Sequence, residues 1–194
     1  MDQPHSPDAF VHVRLILGFV ISLSLARLLT GLARFAQHPG LKRDPLHLLW
    51  VASTLLLLVH FWWWEFWLYS VRVWTFPIYA FLVTFSFLLF LLTALLFPDN
   101  VAEYESHGDY FMRRRKWFFA VFAAVNVFDI VDTLIKGPEH ASQYELDYWI
   151  QPPIYIALSL AAIWTANRRF HYAFVSLNLA YQMFFIARSL TVLG

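Results

Sequence analysis

The sequence predicts an all-helical integral membrane protein that crosses the bilayer six times in a single bundle. Of its 194 residues, 60% are hydrophobic and only 14% are charged, whereas soluble domains carry roughly 25% charged residues. The apolar residues also occur in runs of about 20, the length that a helix needs to cross a hydrocarbon core of about 30 Å. These observations assign the whole chain, residues 1–194, to one transmembrane domain.

The six predicted spans cover residues 11–33, 46–69, 74–97, 117–135, 152–167 and 170–193. The first is interpreted as a retained span, because the polar N-terminus lacks the basic stretch of a secretory signal. The fifth span is interrupted at its start by Gln151-Pro152-Pro153. Because proline is tolerated in the first turn of a helix, the pair is interpreted as the beginning of this helix. The alternative is a five-span protein with a re-entrant fifth segment.

Basic residues predict the orientation of the helices. Nine lysines and arginines lie in one set of loops and four lie on the other side. The nine are Arg34, Lys42, Arg43, Arg113, Arg114, Arg115, Lys116, Arg168 and Arg169. Cytoplasmic loops carry an excess of Lys and Arg, so this set, including the long loop 98–116, is predicted to be cytoplasmic and both termini to lie outside. A chain of helical spans of this kind is expected in a bacterial inner membrane.

Two groups of side chains are predicted to contact lipid. The basic run from Arg113 to Lys116 (Arg113, Arg114, Arg115 and Lys116) is expected to anchor the fourth helix and to contact anionic headgroups. Tryptophan rings favour the headgroup level, and four of them lie near the end of the second span. These are Trp62, Trp63, Trp64 and Trp67.

Two aspartates, Asp129 and Asp132, lie inside the fourth span. A carboxylate in hydrocarbon is costly and usually faces a bundle interior, a partner charge or a water-filled cavity. At 100° per residue, both share one helix face with Asn126 and Lys136. A structural interpretation pairs Asp132 with Lys136 at i,i+4 and Asp129 with a cation from another helix. Arg27 is a candidate for this cation, and the alternative for Arg27 is that it snorkels towards the inner interface. The alternative interpretation is a site for a cation or a proton.

The second span carries two further polar residues, His60 and Glu65. Glu65 is expected to pair with Arg188, which has a similar depth on the last span. Five residues separate His60 from Glu65, a rotation of about 140°, so a proton relay between them along this helix is not expected. His60 is interpreted as a hydrogen-bonded core residue, with a proton-relay role as the alternative.

Several functional classes are disfavoured by what the sequence lacks. It contains no cysteine, which excludes disulfides and thiolate metal sites. No nucleophile, metalloprotease or nucleotide-binding motif is present, so no cofactor is predicted, and a membrane enzyme is only a third alternative to the two hypotheses below. The acids beside His107 and His140 have no recognised ligand spacing, so no metal site is predicted. The net charge of +1 without interleaved basic and aromatic residues argues against nucleic acid.

Two functional hypotheses follow. The first is a small channel or transporter for cations or protons. Its predicted pathway consists of His60, Glu65, Asn126, Asp129 and Asp132. The second is a non-catalytic accessory or assembly subunit, in which buried charges, with Arg27, Lys136 and Arg188 as the cations, lock helices together. Under both hypotheses the chain contacts the lipid bilayer. Its protein partner is expected to be either a second copy of itself or another membrane protein.

Overall fold

The computed structural model describes residues 6–38, 40–71, 73–100 and 103–189, and the regular secondary structure of these residues is entirely helical. The helices are α1 (Ser6–Gln37), α2 (Pro45–Trp64), α3 (Phe76–Ala94), α4 (His107–Ile135), α5 (Pro138–Ala141), α6 (Leu146–Trp164) and α7 (Arg168–Ser189). Helix α2 continues as a 3₁₀ segment, Glu65–Ser70. The predicted all-helical class is therefore confirmed for the described part of the chain.

Four of the described helices are long and apolar enough to cross a membrane. They are Asp8–Gln37, Pro45–Ser70, Phe76–Ala94 and His107–Ile135. Helices α6 and α7 have 19 and 22 residues but do not meet the same combination of length, hydropathy and low charge. The four apolar helices indicate a membrane protein, while the fifth and sixth spans stay predictions.

Helix α4 is longer than predicted at its N-terminal end. It begins at His107 rather than near Trp117. Ser106 is the N-cap, and its hydroxyl accepts a hydrogen bond from the backbone N–H of Asp109 at 3.1 Å, which satisfies a donor that the helix leaves free. Residues 107–116, expected in the loop 98–116, therefore form the first turns of α4. Hydropathy misses this extension because the added turns are polar.

Helix α6 also differs from the prediction. It begins at Leu146 and carries Pro152 and Pro153 in its interior, so the interpretation that the proline pair starts the helix is wrong. Each proline lacks the N–H that would bond to the carbonyl four residues earlier. Helix α6 nevertheless continues through this point, packed along α4 in the most extensive helix pair of the described structure.

The six long helices alternate in direction, and three of their connections meet at one end of the bundle. There, Arg168 Nη2 lies 2.5 Å from Asp44 Oδ2, and Arg115 Nε donates to the carbonyl oxygen of Thr165 at 3.0 Å. These contacts join the α1–α2 connection, the start of α4 and the α6–α7 connection. This end, called the basic end below, gathers the loops that hold most of the lysines and arginines.

Aromatic side chains fill the bundle interior on the side of the basic end. Trp50 of α2 is fully buried, and its ring centroid lies 5.2–6.4 Å from those of five phenylalanines. These are Phe111, Phe118, Phe119, Phe122 and Phe174. This group, the aromatic plug, uses mainly edge-to-face contacts, the arrangement that aromatic quadrupoles favour. It packs α2, α4 and α7 together without polar groups from α4.

Candidate functional site

A cavity of about 100 Å³ lies between α2, α4, α6 and α7, on the far side of the aromatic plug from the basic end. Its lining includes His60 and Glu65 from α2 and its 3₁₀ segment. It also includes the polar face of α4, from Asn126 to Lys136. The structure thus brings the predicted pathway residues of two helices to one cavity, which has room for several water molecules.

Lys136 joins two of the buried carboxylates. Its Nζ donates to Glu65 Oε1 at 3.0 Å and to Asp132 Oδ2 at 2.5 Å. The side chains of Lys136 and Glu65 are 1% exposed and that of Asp132 is 6% exposed. The predicted i,i+4 pair of Asp132 and Lys136 is present, and Glu65 completes a group of three charges, called the charge lock below. It fastens the end of α2 to the end of α4.

The chain reaches this arrangement because α4 stops at Lys136. Gly137 follows with φ = 100°, in the left-handed region that favours glycine and commonly ends a helix. The hydroxyl of Ser70 donates to the carbonyl oxygen of Lys136 at 2.9 Å, which holds this helix end against the 3₁₀ segment. The short helix α5 then brings His140 to the lining of the cavity.

Asp129 is held by hydroxyl groups rather than by a cation. The Tyr148 hydroxyl donates to Asp129 Oδ2 at 3.1 Å. Since the hydrogen of Tyr148 is used in this bond, Thr133 donates its own to the Tyr148 oxygen at 2.5 Å. Within the described ranges, Asp129 forms no ion pair. It is the one carboxylate of the α4 face that Lys136 does not bind directly.

The predicted pairing of Arg27 with Asp129 is wrong. Arg27 Nη2 instead lies 2.6 Å from Asp99 Oδ1 and donates to the carbonyl oxygen of Phe97 at 3.0 Å. The long side chain extends towards the nearer polar end of the bundle, as snorkelling residues do. The Arg27 guanidinium lowers the pKa of Asp99 below its usual value, through its hydrogen bond and its charge.

The predicted pair of Glu65 and Arg188 is also wrong. Arg188 Nη1 lies 3.3 Å from Glu145 Oε2 and 3.4 Å from Asp147, both at the start of α6. Glu65 is already bound by Lys136. Two residues at a similar depth on different helices are not necessarily neighbours. Arg188 instead contacts the partly exposed carboxylates of Glu145 and Asp147.

His60 and Glu65 line the same cavity, although the sequence places them on different faces of a regular helix. The α-helix ends at Trp64 and continues as a 3₁₀ segment from Glu65. The larger rotation there, about 120° rather than about 100° per residue, does not bring the two side chains onto one face. His60 also contacts Trp64, with ring centroids 5.2 Å apart. A shared cavity does not test the expectation that no proton relay runs between the two residues along this helix, which stays a prediction.

The four tryptophans assigned to the membrane interface do not share one environment. Trp63 is 47% exposed, consistent with the prediction. Trp62 packs beneath the guanidinium of Arg14, 5.7 Å from the ring centroid. Trp64 lines the cavity, and Trp67 lies against His140 at 4.9 Å. Trp64 is therefore part of the site and Trp67 packs against one of its lining residues, while lipid contact by these rings stays a prediction.

The four basic residues at the start of α4 also differ in their exposure to solvent. Arg113, Arg114 and Lys116 are exposed, and Arg113 forms an ion pair with Asp109 at 2.9 Å. Arg115 is partly buried, because it donates to backbone carbonyls of α4 and of the α6–α7 connection. Lipid contact by the three exposed residues stays a prediction.

Helices α6 and α7 also contribute to the cavity, although none of their residues except Arg188 was predicted to belong to the site. The cavity is lined by Tyr148, Gln151 and Tyr155 of α6, and by Asn178, Tyr181, Gln182 and Phe185 of α7. The spacings are i, i+3, i+7 and i, i+3, i+4, i+7, which mark one face of a helix. A search for polar and tyrosine stripes at this period would have found both faces.

Five side chains of the lining present buried oxygens that have no hydrogen-bond partner within the described structure. They are Glu65 Oε2, Asp132 Oδ1, Gln182 Oε1 and the hydroxyls of Tyr155 and Tyr181. Buried polar atoms are nearly always hydrogen-bonded to protein or to ordered water. These atoms therefore mark the part of the cavity where water or a ligand with hydrogen-bond donors is expected. Among the described residues, no group of three or more His, Cys, Asp or Glu is arranged to hold a metal ion.

His140 gives the site a measurable pH dependence. Burial, with a contribution from the Lys136 ammonium, lowers the pKa of His140 to about 4 from 6.5. Between these values the unfolded chain binds a proton that the folded protein does not, so stability falls as the pH is lowered. We expect His140 to cost about 2 kcal/mol of stability at pH 5 relative to pH 8. Chemical unfolding of the wild type and of His140→Gln at both pH values measures this difference; an equal pH dependence in both proteins would contradict the prediction.

The fold and the cavity together define a class: an all-helical protein, in its described part, with four helices suited to a membrane and a buried site rich in carboxylates. The chain matches no protein-family model, and neither curated proteins nor solved structures show a significant match to it. The residues of the cavity are therefore the basis for a functional proposal.

Proposed function

We propose that the protein spans the membrane six times, with both termini on the outer side, and moves a cation or a proton through the carboxylate cavity. The topology is supported by the length of α6 and α7, which is that of a span. It is also supported by the basic end, where the loops richest in Lys and Arg lie together, as cytoplasmic loops do. Assignment to a bacterial inner membrane rests on the helical spans alone.

The observation that carries the functional proposal is an imbalance of charge. Glu65, Asp129 and Asp132 line the cavity with one ammonium, that of Lys136. Three carboxylates and one ammonium have a net charge of −2 when all four are ionised. An uncompensated buried charge costs several kcal/mol, so protons or bound cations must neutralise the site. A site that must take up positive charge to be stable is suited to carrying it.

The individual carboxylates have different roles in this proposal. Glu65 and Asp132 share the fixed ammonium of Lys136 and set the negative potential of the cavity. Asp129 has a tyrosine hydroxyl in place of a cation, so it is the group that exchanges the mobile charge. Asn126, whose Oδ1 accepts from Gln151 Nε2 at 3.3 Å, extends the polar route towards the aromatic plug.

The aromatic plug makes the described conformation a closed one. Trp50 and its phenylalanine neighbours separate the cavity from the basic end of the bundle. Ions and protons do not cross a dry, close-packed aromatic layer without a rearrangement or a water defect. The proposal is therefore a transporter or a gated channel in which movement of α2, α4 or α7 opens the plug.

The charge lock favours a second candidate function. It joins α2 and α4 with side chains that are almost wholly buried, as a purely structural helix lock would. An accessory or assembly subunit of a membrane complex requires such locks and no mobile charge. The two candidates differ in what they require of Asp129, which is outside the lock.

Flux through proteoliposomes tests the proposal. Purified protein is reconstituted with an internal pH dye and exposed to proton, Na⁺ and K⁺ gradients. We expect flux above that of protein-free liposomes, and a reduction of at least about tenfold in Asp129→Asn, which removes the exchangeable charge. Asp99→Asn is the matched control, because Asp99 is exposed and contacts Arg27 outside the cavity.

Three outcomes separate the candidates. Flux in the wild type and in Asp99→Asn, with loss in Asp129→Asn, supports transport. Equal flux in both variants contradicts the assigned role of Asp129. Wild-type flux no greater than that of empty liposomes overturns the transport proposal and, with a stoichiometric co-purifying membrane protein, favours the accessory function.

A further inference from the structure

The cavity offers a ligand mainly hydrogen-bond acceptors. The carboxylate oxygens Glu65 Oε2 and Asp132 Oδ1 and the amide oxygen of Gln182 line it without hydrogen-bond partners in the described ranges. Their residues are buried to more than nine-tenths. A ligand that satisfies these atoms must bring hydrogen-bond donors of its own.

The side-chain N–H donors of the lining are largely in use. Lys136 Nζ binds two carboxylates, and Asn126 Nδ2 donates to the carbonyl oxygen of Phe122 at 2.8 Å. Gln151 Nε2 donates to Asn126, and Asn178 Nδ2 donates to Ser53 Oγ at 2.6 Å. An anionic or acceptor-only ligand could use the hydroxyls of Tyr155 and Tyr181 as donors, but it would leave the free carboxylate oxygens unsatisfied and would meet a negative potential. The complementary ligand is a cation that donates several hydrogen bonds.

Aromatic rings form another wall of the same cavity. Tyr144 and Tyr148 are stacked with centroids 4.1 Å apart, and Phe185 lies 5.0 Å from Trp64. The rings of Tyr155 and Tyr181 are arranged edge-to-face with centroids 6.3 Å apart, and all six rings line the cavity. Aromatic faces attract organic cations within about 6 Å and also cover their apolar carbon atoms. A ligand that meets both walls has a charged donor group and an apolar part.

We propose that this cavity binds a small protonated primary amine, with the ammonium group at the free oxygens of Glu65 and Asp132 and near Asp129, and the carbon chain against the tyrosines of α6 and α7. This inference rests on the proposed cation transport and names its substrate class. At roughly 10–15 Å³ for each water-sized group, a cavity of about 100 Å³ holds an amine of at most about seven to ten non-hydrogen atoms. Butylammonium and phenethylammonium do not exceed this limit.

Ligand-dependent thermal stability of the full-length protein in detergent tests the inference. The probes are butylammonium, its neutral isostere butanol, tetramethylammonium and K⁺, at equal ionic strength. We expect a saturable rise in Tm with butylammonium, binding at least about tenfold weaker for tetramethylammonium, which has no N–H donors, and no saturable rise with butanol or K⁺.

Variants locate the site. Asp129→Asn is expected to weaken butylammonium binding by at least about tenfold, and Tyr155→Phe, which removes one hydroxyl, by a smaller factor. Asp99→Asn, outside the cavity, serves as the matched control and should bind like the wild type. The ligand series on the wild type does not depend on the folding of any variant.

The failures of this inference and of the proposed function are distinguishable. Saturable binding of K⁺ as tight as that of butylammonium, or butylammonium binding no tighter than butanol, overturns the amine assignment. Equal binding by wild type and Asp129→Asn also overturns it. Proton or K⁺ flux without amine binding refutes the substrate class alone. Amine binding without flux of butylammonium, protons, Na⁺ or K⁺ in the liposomes refutes transport and leaves the binding site in place.

Discussion

Replacing Lys136 by methionine is expected to destabilise the folded protein by about 3–5 kcal/mol, the cost of removing one partner from a buried ion pair. Methionine keeps much of the length of the side chain but removes the ammonium that binds Glu65 and Asp132. Two almost fully buried carboxylates are then left without a cation in the charge lock. Chemical unfolding in detergent, followed by tryptophan fluorescence, measures the loss.

Two further variants show whether the loss comes from unpaired charge. The combination of Lys136→Met with Glu65→Gln and Asp132→Asn replaces the charges by neutral groups of similar shape, so we expect it to recover much of the stability. Lys116→Met is the matched control; Lys116 is exposed, and its replacement should change the free energy of unfolding by less than about 0.5 kcal/mol. A loss below about 1 kcal/mol in Lys136→Met would contradict the charge lock.

The part of this lock that the sequence predicts is the part that is local in the chain. Asp132 and Lys136 are one helical turn apart, and helix geometry alone brings them together. Glu65 joins them from 71 positions away, and no local rule specifies that contact. Depth along each span indicates Arg188 as the partner of Glu65 and Arg27 as a candidate partner of Asp129, and both pairings are wrong.

The failure has a physical reason. Rise per residue gives the height of a side chain in a span, but pairing also needs the direction in which each helix face points and the order of helices around the bundle. Both are set by tertiary packing, here by α4 against α6 and by α2 against α7. An arginine side chain is also long enough to place its guanidinium at a different depth in the membrane from its Cα atom, as Arg27 does when it contacts Asp99.

The helix boundaries show the same division between local and tertiary information. The apolar runs predict where helices cross the bilayer core, yet α4 starts earlier because Ser106 caps a polar first turn. Helix α6 passes through Pro152 and Pro153 because it is packed along α4. The tyrosine and glutamine residues of α6 have helical periodicity in the sequence. That they line a cavity depends on α7, which presents a similar polar and aromatic face on the opposite side.

The second large effect is expected from Trp50→Ala in the aromatic plug. Truncating a fully buried tryptophan removes the ring that five phenylalanines contact, at a cost of about 3–5 kcal/mol for transfer and cavity formation together. Chemical unfolding of the purified protein measures this loss. Trp50→Phe keeps an aromatic ring and removes an indole N–H that has no hydrogen-bond partner in the described structure, so it should cost clearly less.

Added indole distinguishes a packing defect from a wider disruption of the bundle. A cavity lined by phenylalanine stays dry and accepts apolar molecules of matching shape. Indole should therefore raise the Tm of Trp50→Ala in a saturable way and leave the wild type unchanged. The absence of this rescue, together with a loss below about 1 kcal/mol, would show that Trp50 is not close-packed. A dry plug that indole can refill is the barrier that the proposed transport cycle must open, because removing the ring alone creates no polar path from the carboxylate cavity to the basic end.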